Sequence, residues 1–367
     1  MSQPRSADHF SIARLVRSGR RADLAQMPAC TIALDAMGGD HGPEVVVPAA
    51  LQFQANNPHV ALILVGREER IRAQLQDALP ERIRIHPASQ EVAMDESPSK
   101  VLRNKKDSSM RVAIELVRDG VADACVSAGN TGALMATARF ILKMLPNVDR
   151  PAIIAAVPSV HGHTHMLDLG ANVDCTAEHL FQFAVMGSEL VAAVDGVSRP
   201  SVALLNIGQE EIKGNEQVKQ AHELLSRSNL NYIGYVEGDG IFLDDLDLVV
   251  SDGFVGNVAL KTSEGVAKFV RHSLTSQFKL NWFSRLAGLA ALPIIRRFRR
   301  TMDPRRYNGA SLLGLRGIVI KSHGGADILA FENAIHIAEK EIHANIPQRI
   351  SEQVGFHLSG EPNRDTA

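Results

Sequence analysis

The sequence predicts an α/β fold: a parallel or mixed sheet with helices on both faces. Two observations carry this. From Cys30 onward, short apolar runs of strand length alternate with longer segments of helical period, the pattern of strands joined by crossover helices. Two of those runs, 122–126 and 246–250, lead into look-alike turns, VSAGNTGAL (126–134) and VVSDGFVGNVAL (249–260). Each turn has the form Ser-[Ala/Asp]-Gly-x-x-Gly and enters a helical pattern. A strand that turns through glycines into a helix aims unpaired N–H groups and the positive end of the helix dipole at one spot, which favours an anion.

The elements follow in order. CTIALDAMGG (30–39) is a short β-type run ending in glycines, and GPEVVVPAALQFQANN (42–57) has helical spacing. VALILVG (60–66) is a buried strand, REERIRAQLQDAL (67–79) a charged helix and RIRIHPA (82–88) a third strand. Helix MRVAIELVRDG, strand ADACVS, helix NTGALMATARFILKML, and strands RPAIIAAVPS and THMLDLGA continue the alternation. Helix AEHLFQFAVMGSELVAAV, strand SVALLNIG, helix EQVKQAHELLSRS and strand NYIGYVEG come next. In such sheets ligands bind beyond the C-terminal ends of strands. The candidate strand ends are 35–40 (with Asp35, Gly38, Gly39 and Asp40), 127–132, 168–172 (with Asn172), 206–208, 237–240 and 251–253. All are rich in Gly, Asp and Asn, and together they predict a polar cleft at one end of the sheet.

Composition narrows the function. The 367 residues are 45% hydrophobic and 22% charged with a net charge of −2, so no overall basic field invites nucleic acid. One Trp and three Tyr provide little stacking surface for single strands. Cys30, Cys125 and Cys175 are far apart and odd in number, which reads as reduced thiols of a cytoplasmic protein. No apolar run approaches the roughly 20 residues that span a bilayer. Residues 1–29 form a basic N-terminal extension, expected to be disordered, with Met27 as an alternative start. Residues 30–352 form the α/β domain and 353–367 a polar tail.

Within that domain, 262–306 read as protruding amphipathic, basic helices. From 279 to 306 there are eight Lys/Arg and one acid, a net charge of +7. Trp282, Phe283, Leu286 and Leu289, followed by Arg296, Arg297, Arg299 and Arg300, suit an anionic lipid surface or an acidic partner protein. A helix pair packed in a dimer is the alternative.

The first corner carries no charged side chain. Ser127, Gly129, Asn130, Thr131 and Gly132 would make a neutral phosphate cradle. It lacks both the Lys of a Walker A loop and a GxGxxG turn, so no nucleotide cofactor is expected. The second corner holds Asp252, with Asn257 at the helix start and Lys261 one turn later. Asp252 either takes part in proton or cation chemistry or merely caps the helix. In GQEEIKGNE, Lys213 lies between Gly208 and Gly214 after an apolar strand, placed to anchor phosphate or an oxyanion. His161, His163 and His165 alternate in HGHTH and read as an exposed strand or hairpin rather than a metal site. GxSxG is absent, which argues against covalent serine catalysis.

Seven blocks carry a resemblance: LDAMGGDHGP (34–43), KKDSSMRVAIELV (105–117), SAGNTGALMA (127–136), LDLGANVDC (167–175), NIGQEEIKGN (206–215), EGDGIFLDDLDLVVSDGFVGNVALK (237–261) and YNGASLLGLRGIVIKSHG (307–324). In this order, over about 31–352, they resemble the PlsX family, the bacterial phosphate acyltransferases of phospholipid synthesis. The resemblance implies a Rossmann-like three-layer sandwich of the isocitrate dehydrogenase and phosphotransacetylase type. It implies transfer of a long-chain acyl group from acyl carrier protein to inorganic phosphate, with no cofactor. The acyl phosphate would pass to an acyl-phosphate:glycerol-3-phosphate acyltransferase. A homodimer attached peripherally to the inner face of the cell membrane is implied as well. The family's functional residues fall on Lys213, Asp252 and Asn257. Lys213 would neutralise phosphate or the oxyanion, Asp252 orient Lys213 or phosphate, and Asn257 donate to the carbonyl oxygen. Two other readings stand beside this one: a phosphotransacetylase-like enzyme using acyl-CoA, and a non-catalytic membrane-bound scaffold.

Overall fold

The computed structural model describes residues 30–75, 79–301 and 303–359; the side chains at 294, 296–301, 304, 358 and 359 are outside that description. The basic extension 1–29 lies outside the described residues. Among the described residues, eleven strands form one sheet: β1 (Thr31–Asp35), β2 (Ala61–Gly66), β3 (Ile83–Pro87), β4 (Ala124–Ser127), β5 (Ala152–Ser159), β6 (Gly162–Leu167), β7 (Ser201–Leu205), β8 (Asn231–Val236), β9 (Leu248–Val250), β10 (Ala310–Leu313) and β11 (Ile318–Lys321). Their spatial order is β3-β2-β1-β4-β11-β10-β5-β6-β9-β7-β8. Apolar residues on both faces of the central strands, such as Ile32, Ala33 and Leu34, are fully buried, as a sheet covered on both sides demands.

The sheet does not carry all the polar loops at one end. β1 to β4 and β11 are mutually parallel. The pairs β11·β10, β10·β5 and β5·β6 are antiparallel, and β6, β9, β7 and β8 are again parallel to one another. An odd number of reversals separates the halves, so loops 35–40 and 127–132 leave one edge while 168–172, 206–208, 237–240 and 251–253 leave the other. The expectation of six loops at one edge is corrected by β10, which comes from the C-terminal third of the chain, and by the tight β5–β6 hairpin.

The helices are α1 (Pro43–Asn56), α2 (Glu68–Arg72), α3 (Pro98–Asn104), α4 (Ser109–Arg118), α5 (Thr131–Leu142), α6 (Ala177–Asp195), α7 (Glu216–Ser226), α8 (Gly240–Leu243), α9 (Gly253–Lys279), α10 (Trp282–Thr301), α11 (Ile328–Ala344) and α12 (Ile346–Ser359). Side-chain oxygens cap the longer ones: Ser108, Asn130, Thr176, Asn215, Asp252 and Asp327 each accept an N–H from the first turn, which satisfies a donor the helix leaves orphaned. α1 and α11 bury Phe53 and Phe331 against one half of the sheet. α6, α7 and α12 cover the same face of the other half, around Phe183 and Leu248. On the opposite face one apolar layer runs through both halves, from Ile114 and Leu134 to Met166 and Val249. The charged helix expected at 67–79 is a single turn, with Ile71 its only buried side chain. The polar tail begins later than expected: α12 continues through 353 to Ser359 because Val354, with Ile350, packs into the core.

α9 has 27 residues, about 40 Å at 1.5 Å per residue. Its first turns pack on the sheet, and the rest stands clear, joined to α10. Phe269, Leu280, Trp282, Phe283, Leu286 and Leu289 are each at least 59% exposed. The Trp282 and Phe283 rings stack with centroids 3.5 Å apart. The backbone of α10 passes through Arg296, Arg297, Arg299 and Arg300, whose side chains lie outside the described residues. Among the described residues no helix is long and apolar enough to cross a membrane.

The start of α9 presses on the end of β6. A Cβ at Gly256 would overlap the Asp168 carbonyl oxygen, backbone that has nowhere to move. Gly256→Ala is therefore expected to lower the unfolding free energy by about 1–3 kcal/mol, the range of an overpacked core. Urea denaturation checks this, and an unchanged midpoint would refute the contact.

Candidate active site

Strand order assembles the first corner. β1, β4 and β11 are adjacent and parallel, with Leu34 opposite Val126 and Ser127 opposite Lys321, so Asp35, Ser127 and Lys321 end side by side. Asp35 is 1% exposed. Ser127 Oγ donates to Asp35 Oδ2 at 2.6 Å, and the Gly129 and Met37 N–H groups donate to Ser127 Oγ at 3.1 Å and Asp35 Oδ1 at 3.3 Å. Burial pushes the Asp35 carboxyl pKa up, opposed by hydrogen bonds from Ser109 and Ser127. The loops close backbone to backbone. Asp40 N–H donates to Gly324 O at 2.9 Å, and a Cβ on Gly38 would stand 2.6 Å from Asp35 Oδ2 and 2.8 Å from Gly129 N.

This corner is not neutral. Lys321 is 9% exposed, and its ammonium donates to the carbonyl oxygens of Ala128, at 3.2 Å, and Ser322. It forms no ion pair among the described residues. Burial depresses its pKa to about 8, against the pull of Asp35 and Asp40. Sequence reasoning missed Lys321 because it lies nearly 200 residues from the corner it joins. The one local signal is that IVIK is an apolar run of strand length that ends in a lysine.

Asn130 does not offer its side chain to a ligand. Its Oδ1 accepts from Ala133 N–H at 2.9 Å, and its Nδ2 donates to the carbonyls of Met94 and Glu96 at 2.7 and 3.1 Å. It caps α5 and ties down loop 94–96. Helix geometry leaves the N–H groups of Thr131 and Gly132 without intrahelical acceptors, so the anion-attracting part of this corner is backbone.

The second corner is organised by Asp168, which is fully buried at the end of β6. Its Oδ1 accepts from the N–H groups of Ile153 and Ala171 at 2.9 and 3.1 Å, and its Oδ2 from the N–H and Nδ2 of Asn172 at 2.7 and 3.0 Å. Asn172 also donates to Pro151 O and accepts from Gly253 N–H, both at 2.7 Å. Asn172 is thus a buried brace rather than a ligand in the cleft. Asp252 Oδ1 caps α9 through Val255 N–H at 2.8 Å, and one oxygen remains for other work. Asn257 is exposed and lies over Gly170, which holds a φ of 118° that favours glycine.

Lys213 is exposed on the loop after β7, held by Asn206 Nδ2 bonds to Gly208 O at 3.1 Å and Lys213 O at 3.3 Å. β7 and β9 are parallel neighbours, so Lys213 and Asp252 leave the same edge. No hydrogen bond or ion pair among the described residues joins Lys213 to Asp252 or Asn257. Lys261 pairs with Glu264 at 3.0 Å. It is also close enough to Lys321 and His323 to depress both their pKa values, so the first turns of α9 run from the second corner towards the first.

The arrangement selects among chemistries. Burial pushes the thiols of Cys30 and Cys175 up to about 12 and raises Cys125 as well, so no cysteine supplies a thiolate nucleophile at neutral pH. Neither corner holds a group of three metal-ligating side chains among the described residues. What remains is an anion-attracting pocket with a buried cation, and polar side chains across the first turns of α9. That suits transfer between two bound partners.

Comparison with known proteins agrees. A family described as "Fatty acid synthesis protein" matches residues 30–349. A phosphate acyltransferase of Methylococcus capsulatus is 64% identical over 88% of this chain and 96% of its own length. One from Alkalilimnicola ehrlichii is 63% identical over 90% and 98%. Among solved structures, a phosphotransacetylase from Streptococcus pyogenes covers 91% of this chain and 99% of that one with a TM-score of 0.62 at 17% identity, a likeness of fold. The Rossmann-like sandwich of the phosphotransacetylase type stands, and the chain belongs to the bacterial phosphate acyltransferase family, PlsX, as an acyltransferase.

Proposed function

We propose that the chain transfers a long-chain fatty acyl group from acyl carrier protein to inorganic phosphate, giving acyl phosphate for phospholipid synthesis. The observation that carries the reading is Lys321: a buried ammonium that forms no ion pair among the described residues, beside backbone N–H groups at the start of α5. Phosphate supplies the missing counter-charge there. Its oxygen attacks the thioester carbonyl carbon; the C–O bond forms, the C–S bond breaks, and the sulfur leaves with the carrier protein. Lys213 neutralises charge on phosphate or the oxyanion, Asp252 orients Lys213 or phosphate, and Asn257 donates to the carbonyl oxygen. The space along the first turns of α9 holds the reacting groups. The protein works as a homodimer at the inner face of the cell membrane, held by the exposed apolar side chains and arginines of the α9–α10 hairpin. The product goes to an acyl-phosphate:glycerol-3-phosphate acyltransferase.

Purified protein with long-chain acyl carrier protein and phosphate is expected to form acyl phosphate, detected by mass. Equal turnover with acyl-CoA would favour the phosphotransacetylase-like reading, and no product with either donor would leave a scaffold. Lys321→Met should lower kcat/KM for phosphate by about 100-fold, the scale of one lost electrostatic contact, with the KM for the acyl donor unchanged. Lys213→Ala with near-normal turnover and unchanged phosphate KM would remove Lys213 from the mechanism. Arg296→Glu with Arg297→Glu and Arg299→Glu is expected to abolish binding to anionic vesicles while sparing turnover of soluble substrate. A raised KM for carrier protein instead would assign these arginines to carrier docking.

Lys321 also ties stability to pH. Its pKa is depressed from 10.5 to about 8 in the folded chain, so folding disfavours the charged form and the cost is full below pH 8. It is relieved as pH rises towards 10.5, where the unfolded chain loses its proton too. Relative to Lys321→Met, the unfolding free energy of the parent should therefore rise by on the order of 3 kcal/mol across that window in phosphate-free buffer. Denaturation at pH 7.5, 9 and 10.5 measures it, and a constant difference would refute the buried ammonium.

A further inference from the structure

The β5–β6 hairpin carries a cluster that acyl transfer leaves unused. Residues two apart on a strand share a face, so β6 sets His163 and His165 side by side, with ring centroids 5.1 Å apart. Asp195, the last residue of α6, lies against both. Its Oδ2 is 2.9 Å from His163 Nε2 and 3.5 Å from His165 Nδ1. His165 is 6% exposed, and its Nδ1 is buried without a hydrogen-bond partner. The alternating histidines lie in a hairpin, as the sequence suggests, but His165 is buried rather than exposed.

We propose that His163, His165 and Asp195 bind a divalent transition metal of the zinc type, with water in the fourth position. One ligand atom from each residue lies within 4.8 Å of the others. Ligands about 2.0–2.1 Å from a tetrahedral zinc stand about 3.4 Å apart, and the two distances to Asp195 bracket that value. Two imidazoles and one carboxylate are a donor set for zinc rather than for magnesium or calcium, which take oxygen. The orphaned His165 nitrogen gains a partner. Asp195 ends a helix of 19 residues, whose dipole places negative potential at the site. Lys340 is the opposing charge within range of Asp195, and Asp247, near His165, adds to the pull on a cation. The metal would clamp the hairpin to the end of α6, away from Asp252 and Lys213 at the other edge of the sheet.

The test uses the tag-free, full-length chain stripped of metal, in phosphate-free buffer. Zinc titrated against a chromogenic chelator is expected to bind with one tight equivalent and to raise Tm. Cobalt should give the visible absorption of a tetrahedral ion without a thiolate charge-transfer band. His163→Gln with Asp195→Asn, two replacements near in size, should weaken zinc affinity by about 100-fold and abolish the Tm shift, with unchanged circular dichroism. Two results would overturn the proposal. One is the absence of saturable binding by the parent chain. The other is undiminished binding by the double variant, which would move the metal to the group formed by His59, Glu339 and His343. His163→Gln alone sits on a half-exposed side chain and keeps the question open to measurement if the double variant misfolds.

Discussion

The second half of the molecule hangs on the Asp168 carboxylate. It is buried, yet it accepts four hydrogen bonds, from the start of β5, from its own loop and from both donors of Asn172. A carboxylate out of water is tolerable only when its lone pairs are filled this way. Burial nonetheless pushes its pKa up, with those same bonds opposing the rise. Through Asn172 the network reaches Gly253, the first residue of α9. One side chain therefore sets where β6 ends, how the 168–172 loop turns and where the longest helix begins. Asp252 and Asn257 take their positions from that helix start, and Gly253 and Gly256 lack side chains because Asp168 and Asn172 occupy the space.

Much of this was legible in the sequence, because it is local. Apolar runs such as ALILVG and the cap at Asp252 depend on neighbours a few residues away. The look-alike corners were also legible, as strand, glycine turn and helix. What was not legible is strand order. Lys321 meets Ser127 and Asp35 only because β11 inserts beside β4, and no pattern within IVIK names its neighbour. The reversal of direction across β10, β5 and β6 has the same origin. Alternating strands and helices give parallel pairs within each half and say nothing of how the halves join. The side-chain roles of Asn130 and Asn172 were misread for a related reason: an amide in a polar loop looks free until the carbonyls of residues 94, 96 and 151 are brought to it.

Charge at the first corner separates what the two corners can do. Without Lys321 it is a helix N-terminus with glycines, which attracts an anion weakly and without choice. With Lys321 it contains a cation that burial destabilises and that the Asp35 and Asp40 carboxylates relieve only in part. An entering dianion restores the ammonium's favoured state, so binding and desolvation reinforce each other. The second corner has the opposite balance: two carboxylates, Asp168 and Asp252, and no buried cation among the described residues. Its charge disfavours a phosphate, and on the proposed function it holds the carbonyl, with Asn257 as an amide donor.

α9 joins these corners to the surface. Its N-terminus is fixed by Asp252 and braced by Asp168, its third turn brings Lys261 towards Lys321, and its far end carries the exposed apolar hairpin with α10. Its buried end leaves little freedom, because Gly253 and Gly256 are packed against backbone. A contact at the hairpin therefore cannot be taken up by a hinge at the corner. On the proposed function this arrangement has a chemical consequence. A long-chain acyl phosphate is an amphiphile, costly to release into water at about 0.8 kcal/mol for each methylene exposed. A rigid element that begins at the reacting groups and ends in apolar side chains gives such a product a continuous non-aqueous neighbour from its site of formation to the membrane.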